Sequence, residues 1–119
     1  VLLTLVNEWT QPQREKKDHR LEEMLKFMRA RLPAVVSRRD LAEAFQLSPA
    51  YINQLFKKEL GLSPGEWVRR ERCRLAHRYL LQNMSVGEVA DRIGFADPFH
   101  FSRVFKQVYG VSPSKIRPS

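Results

Sequence analysis

Residues 48–64 read SPAYINQLFKKELGLSP, and residues 97–113 read DPFHFSRVFKQVYGVSP. The two stretches lie 49 positions apart and share a capping residue followed by Pro, a Phe-Lys pair, a Gly and a closing Ser-Pro. A repeat of this length indicates one supersecondary unit used twice. We predict that each copy is a helix, over 49–60 in the first and 98–109 in the second.

Each copy carries its own start and stop signals. Ser48 or Asp97 can accept a hydrogen bond from the free N–H groups of the first helical turn. The Pro that follows suits the first helical position, and Gly61 or Gly110 suits a left-handed residue past the end. Apolar residues recur at helical spacing in both copies. They are Ile52, Leu55, Phe56 and Leu60, and Phe101, Val104, Phe105 and Val108.

The opposite faces of the two helices are polar. They carry Asn53, Gln54, Lys57 and Lys58 in the first copy, and His100, Ser102, Arg103, Lys106 and Gln107 in the second. Asn and Gln can bond adenine bidentately in the major groove, and Arg can do so to guanine. Lys side chains suit phosphates. For one isolated helix, a merely solvated polar face is the alternative interpretation.

A short helix is predicted before each copy, over 38–45 and 86–93. Each opens on a capping box, and their core residues correspond. These residues are Leu41, Ala42 and Phe45 in the first, and Val89, Ala90 and Ile93 in the second. A short turn then leads into the repeat helix, with Gly94 in a left-handed conformation in the second copy. Helix, turn and helix in this order indicate two helix-turn-helix units.

A longer helix is predicted over 64–82, between the two units, after a further capping box. Its predicted buried residues are Trp67, Val68, Leu75, Ala76, Tyr79 and Leu80. Its predicted solvent side carries Arg69, Arg70, Arg72, Arg74 and Arg78, which serve either solubility or phosphate contact. About 19 residues span roughly 28 Å, close to the separation of about 34 Å between successive major grooves. Before the first unit, a helix is predicted over 18–32, ended by Pro33.

The composition favours an anionic partner. The chain of 119 residues has 21 Lys and Arg against 13 Asp and Glu, a formal charge of +8. Nucleic acid and an acidic membrane surface both fit this charge. Cys73 is the single cysteine, and with three His it offers no ligand or nucleophile–base spacing, so we expect neither an enzyme nor a cofactor. No apolar stretch approaches the roughly 18 residues of a membrane span.

Long motifs in the chain resemble those of a known family. Positions 93–97, 101–106 and 110–117 resemble the C-terminal signature of AraC/XylS-type transcription regulators, and positions 41–42, 47–49, 55–58 and 61 resemble the first half of the same DNA-binding domain. The resemblance extends over 18–117. It implies an all-α domain of about seven helices that binds double-stranded DNA sequence-specifically, with two recognition helices in adjacent major grooves, to regulate transcription.

The resemblance also implies how the chain is divided. Two helix-turn-helix subdomains are expected over 18–65 and 83–117, joined by a linking helix over 66–82. Residues 1–17 are expected to be a tail or linker from an N-terminal domain that binds an effector or a dimer partner. RNA polymerase is a further expected partner, and the expected location is cytoplasmic. A membrane partner is not expected, because residues 1–9 are short for an amphipathic anchor and lack Lys and Arg.

Site residues follow from the resemblance by position. The expected base contacts are Ala50, Asn53, Gln54, Phe99, His100, Ser102 and Arg103. The expected phosphate contacts are Ser48, Lys57, Lys58, Ser85 and Lys106. Ala50 could offer only a methyl contact to thymine, and Phe99 could either pack inward or touch a thymine methyl. The alternative function is a helical protein-interaction module that docks an acidic partner. RNA is disfavoured because no exposed aromatic stacking platform is predicted.

Overall fold

The helices that the repeat predicts are present and follow one another with short turns. The structure is a computed structural model and describes residues 19–118, so the expected tail over 1–17 lies outside the described residues. Helix α1 runs over 19–31. The others are α2 (Arg38–Phe45), α3 (Pro49–Leu60), α4 (Pro64–Leu81), α5 (Val86–Ile93) and α6 (Pro98–Tyr109), followed by a 3₁₀ helix over Pro113–Lys115.

The all-α class is confirmed, since residues 19–118 contain helices and turns but no strand. Six α-helices and the terminal 3₁₀ helix correspond to the expected count of about seven. We call α2 and α3 the first unit, and α5 and α6 the second unit. Each is a helix-turn-helix, and α4 joins them as predicted. The described part of α1 and helix α4 both end one residue earlier than predicted.

Serine side chains begin four of the helices. The Oγ atoms of Ser37, Ser48, Ser63 and Ser85 each accept a hydrogen bond from the backbone N–H three residues later. At Ser37 and Ser63 the capping box is reciprocal. The predicted box at Ser85 is incomplete, because the Glu88 carboxylate accepts from the Ser85 hydroxyl, at 2.9 Å, where a full box would have it accept from the Ser85 backbone N–H.

The two units differ in the residue that ends their first helix. Gly94 closes α5 with φ 99°, a left-handed residue as predicted. In the first unit the equivalent position is Gln46, with φ 55°. A residue with a Cβ is strained in that conformation by about 1–2 kcal/mol. Of these two positions only Gly94 was predicted to be left-handed, since nothing in the local sequence marks Gln46 as such.

Two hydrophobic cores form, one under each unit. The first contains Leu21, Met24, Leu25, Met28, Val36, Leu41, Ile52, Leu55, Phe56, Trp67 and Val68. The second contains Cys73, Ala76, Leu80, Val89, Ala90, Ile93, Phe101 and Phe105. Helix α4 supplies residues to both, so one rigid element carries both units. The remaining predicted core residues of the repeat helices, Leu60, Val104 and Val108, are half-buried at the core edges.

Candidate nucleic-acid interface

Helix α3 presents most of its predicted contact residues to solvent. Ala50 and Gln54 are exposed, and Asn53 is half-buried. Ser48 stands at the helix start, where its Oγ accepts a hydrogen bond from the Tyr51 N–H at 3.1 Å. Capping thus uses the Ser48 oxygen as an acceptor and leaves its hydroxyl proton to donate. The structure places this α3 set at the first turns of the helix, the end that recognition helices direct toward base edges.

The lysines of α3 differ in their surroundings. Lys57 and Lys58 are both exposed. The Lys57 Nζ lies 3.2 Å from Oε1 of Glu66, at the start of α4. The pKa of Glu66 is lowered from 4.5 to about 2, first by the hydrogen bond from the Ser63 backbone and then by Lys57. Lys57 must therefore exchange this surface partner for any phosphate it contacts. The sequence did not predict this ion pair.

Helix α6 has the more exposed contact surface. Phe99 is 74% exposed, so the inward-packing alternative is wrong. His100 and Arg103 are exposed and Ser102 is half-buried. The His100 ring meets the Phe95 ring edge-on, with centroids 5.3 Å apart, so its orientation is set by the turn before the helix. An apolar ring, an imidazole and a guanidinium thus project from two turns of one helix.

The remaining predicted phosphate contacts lie at two helix ends. Lys106 is exposed in the last turn of α6 and has no hydrogen bond or ion pair within the described part of the chain. Ser85 is half-buried at the start of α5, and its Oγ both accepts from the Glu88 N–H and donates to the Glu88 carboxylate. A carboxylate bonded to that hydroxyl opposes a phosphate there, so the Ser85 assignment is weaker than that of Lys106.

Arg72 lies in an environment that differs from the predicted one. It was expected on the solvent side of α4, but it is half-buried. Its Nη2 donates to the carbonyl oxygen of Ile93 at 2.9 Å, and its guanidinium lies 4.4 Å from the centroid of Phe95. Burial lowers its pKa from the ordinary value. Arg72 therefore fastens α4 to the turn of the second unit.

The sequence contains a pattern from which the partial burial of Arg72 could have been predicted. Residues four apart lie on one face of a helix, and Arg72 falls between Val68 and Ala76, both buried. A cation placed midway along an apolar stripe indicates a buried partner, here a carbonyl at the end of α5.

The other arginines of α4 are solvent-exposed, as predicted. Arg69, Arg70 and Arg78 make no hydrogen bond or ion pair with any residue in 19–118. Arg74 lies 3.5 Å from Glu71, whose carboxylate is also 3.6 Å from Arg29 of α1. The single cysteine, Cys73, is buried among the second core, and burial raises its pKa to about 11. Its thiol is therefore a packing group.

Neither a metal centre nor a membrane-spanning element is found in the described residues. No cluster of three or more His, Cys, Asp and Glu side chains in 19–118 could hold a metal ion. The helices of the same region are too short or too polar to cross a bilayer.

Comparisons with known proteins agree with this architecture. A family model described as a helix-turn-helix domain matches residues 41–119. The chain is 38% identical over 80 residues to the Msm operon regulatory protein of Streptococcus mutans, covering 66% of this chain and 28% of that protein. It is 36% identical over 106 residues to the arabinose operon regulatory protein of Escherichia coli, covering 84% of this chain and 35% of that protein. The chain thus spans about a third of the length of these relatives.

A solved structure matches over nearly the whole described region. It is a transcriptional regulator with an AraC-type DNA-binding domain from Chromobacterium violaceum, with a TM-score of 0.79 at 25% identity, covering 87% of this chain and 93% of that one. The matched proteins are regulators rather than enzymes, in agreement with the prediction that this chain is not an enzyme. Its duplicated helix-turn-helix, its sequence relatives and its structural likeness together show that the chain belongs to the AraC-type helix-turn-helix family.

Proposed function

We propose that the chain binds double-stranded DNA sequence-specifically and so regulates transcription, with α3 and α6 entering adjacent major grooves. One observation carries the proposal: two helix-turn-helix units, each with an exposed polar helix face, are built onto a single helix of 18 residues. At 1.5 Å per residue α4 is about 27 Å long, which together with the width of the units suits grooves about 34 Å apart.

The base contacts are assigned to side chains in the first two turns of each recognition helix. Asn53 and Gln54 of α3 would read adenine, and Arg103 of α6 would read guanine. Phe99, exposed on α6, would contact a thymine methyl. Each good bidentate contact contributes about 1–3 kcal/mol of discrimination between bases.

Affinity that does not depend on sequence would come from the cations around these helices. Lys106 and Lys58 are exposed at the ends of α6 and α3. Lys57 would contribute after leaving Glu66, an exchange between two exposed groups that costs little because surface ion pairs are weak. Each phosphate contact that releases a counterion makes binding weaker at high salt. RNA polymerase remains a predicted partner of the regulator.

In-vitro selection from random duplex DNA, repeated at two salt concentrations, tests the proposal. The expected result is enrichment of two short boxes about one helical turn apart. A single enriched box would limit base reading to one helix. Salt-sensitive binding without any enriched sequence would contradict the proposal and favour a protein-interaction module with an acidic partner.

A further inference from the structure

A cleft of about 500 Å³ lies between α4 and the second unit, with Val35 of the turn before α2 at its edge. Its first wall is the N-terminal half of α4, with Val68, Arg69 and Arg72. Its second wall is the turn and one face of the second unit, with Phe95, His100 and Arg103 among its residues. Because Arg103 and His100 are also predicted base contacts, the cleft adjoins the surface through which α6 would meet DNA.

The cleft is cationic and has no counter-charge of its own. Three guanidinium groups and one imidazole line it, and none of its lining residues is acidic. Arg69 and Arg103 make no hydrogen bond or ion pair with any described residue, and Arg72 is bonded to a neutral carbonyl. Like charges gathered in one concave site repel one another and raise the local potential, so an anion that enters the site is stabilised.

Another face of α4 shows the opposite arrangement. There Glu71 lies between Arg29 and Arg74, at 3.6 and 3.5 Å, and its side chain is only 12% exposed. On the face toward α1, Arg74 of α4 thus has a carboxylate partner, whereas Arg69 and Arg72 have none in the cleft toward α6.

We infer that the cleft binds a phosphate of the DNA backbone between the two boxes, with Arg69 as its donor and Arg72 as a fixed cationic wall. A duplex that offers adjacent major grooves to α3 and α6 presents the phosphates between them to the helix that joins the units, where the cleft opens beside α6. A guanidinium matches a phosphodiester with paired N–H donors. The half-buried Phe95 ring gives the sugar an apolar contact.

The two arginines have different tasks in this assignment. Arg72 is held by Ile93 and Phe95, so it cannot move to a ligand. Arg69 is exposed and unpaired within the described residues, so it can reach the phosphate without breaking a contact of the fold. Arg103 keeps its predicted base contact and adds its charge at the rim. The inference rests on the proposed DNA binding and states where the duplex backbone crosses the protein.

A methylphosphonate scan tests the inference. Each phosphate between the two selected boxes is replaced singly by an uncharged methylphosphonate, and Kd is measured for the wild type, Arg69→Ala and Arg70→Ala of this chain. One or two neighbouring replacements should weaken wild-type binding about tenfold. The same replacements should not weaken Arg69→Ala further, and its salt slope should fall by about one.

Arg70→Ala is the matched control, because Arg70 is the next residue on α4, exposed and without a described partner, and lies outside the cleft. It should respond to each replacement as the wild type does. Equal losses for the wild type and Arg69→Ala at every position would overturn the inference. If such equal losses are found and inorganic pyrophosphate also binds saturably at Arg69, the inference is likewise overturned. The cleft would then be assigned to a free anion.

The same duplexes separate this inference from the proposed function. If the chain selects two boxes but the wild type and Arg69→Ala are weakened equally, only the cleft assignment is wrong. If the chain selects no sequence at all, the proposed function is wrong and the cleft assignment with it.

Discussion

Arg103 is the side chain on which base reading by α6 depends most. It is exposed, carries no described partner and projects from the second turn of the helix. Arg103→Ala should abolish discrimination at one base pair, a loss of about 1–3 kcal/mol, because the forked guanidinium is the group that matches guanine. The measurement is Kd on the selected boxes and on single-base variants, at two salt concentrations.

The control for Arg103 is Arg78→Ala, an exposed arginine near the end of α4 without a described partner. It should leave discrimination unchanged. If Arg103→Ala weakens binding to all duplexes by one factor and keeps the base preference, Arg103 contacts the backbone and not a base.

Glu66 links the start of α4 to the acid stability of the fold. Its pKa falls from 4.5 to about 2 because the ionised carboxylate accepts from the Ser63 backbone and pairs with Lys57. Since the folded pKa is the lower one, the carboxylate stabilises the fold above about pH 4.5, and this contribution is lost as the pH falls toward about 2.

Glu66→Gln keeps the capping geometry without the charge. Thermal unfolding across this pH range should show the wild type more stable above about pH 4.5 and the two proteins converging toward pH 2. A difference in Tm that stays constant over the range would show that ionisation of Glu66 does not stabilise the fold.

At the scale of the elements, Arg72 sets how the second unit sits on α4. Arg72→Met removes the bond to the Ile93 carbonyl and the contact with the Phe95 ring. A hydrogen bond from a charged donor contributes about 1.5–3 kcal/mol, so we expect a loss of up to that size in the free energy of unfolding. Phe95 also packs against His100 and Phe101, so α6 should be placed less accurately.

Binding to duplexes with a single box distinguishes misplacement of α6 from simple destabilisation of the fold. Well below Tm, Arg72→Met should lose more affinity for duplexes that keep only the α6 box than for duplexes that keep only the α3 box. Arg72→Lys should restore part of the difference, because its ammonium can still reach a carbonyl. Equal losses on both boxes would show that Arg72 does not position the second unit.

Helix ends could be predicted from the sequence, whereas contacts between helices could not. The ends of α3, α5 and α6 were predictable because their caps act over three or four residues, as Ser48 and Gly94 do. The partner of Arg72 lies 21 residues away, and the pair of Lys57 and Glu66 depends on how α3 meets α4. Contacts of this kind depend on tertiary geometry, which no local pattern encodes.

At the scale of the whole molecule, two cores share one helix. Phe56 and Phe105 are fully buried at equivalent repeat positions, one in each core. Phe105→Ala should cost about 3–5 kcal/mol, as expected when a buried ring is removed. Because the cores are separate clusters, amides of α5 and α6 should lose protection from hydrogen exchange first, while those of α2 and α3 keep most of theirs.

Phe56→Ala is the matched variant and should produce the reverse pattern. Uniform loss of protection over α2 to α6 in both variants would show that α4 couples the two units into one cooperative fold.

One rigid helix is proposed to set two recognition helices into adjacent grooves, and the spacing of the DNA boxes tests this most directly. Kd is measured for duplexes with the selected spacing, and with half a helical turn or one full turn of extra base pairs between the boxes. Since α4 is about 27 Å long and is packed into both cores, both insertions should reduce affinity to that of a single box. Affinity that survives the full-turn insertion unchanged would contradict the claim, because only a flexible connection could follow the displaced box.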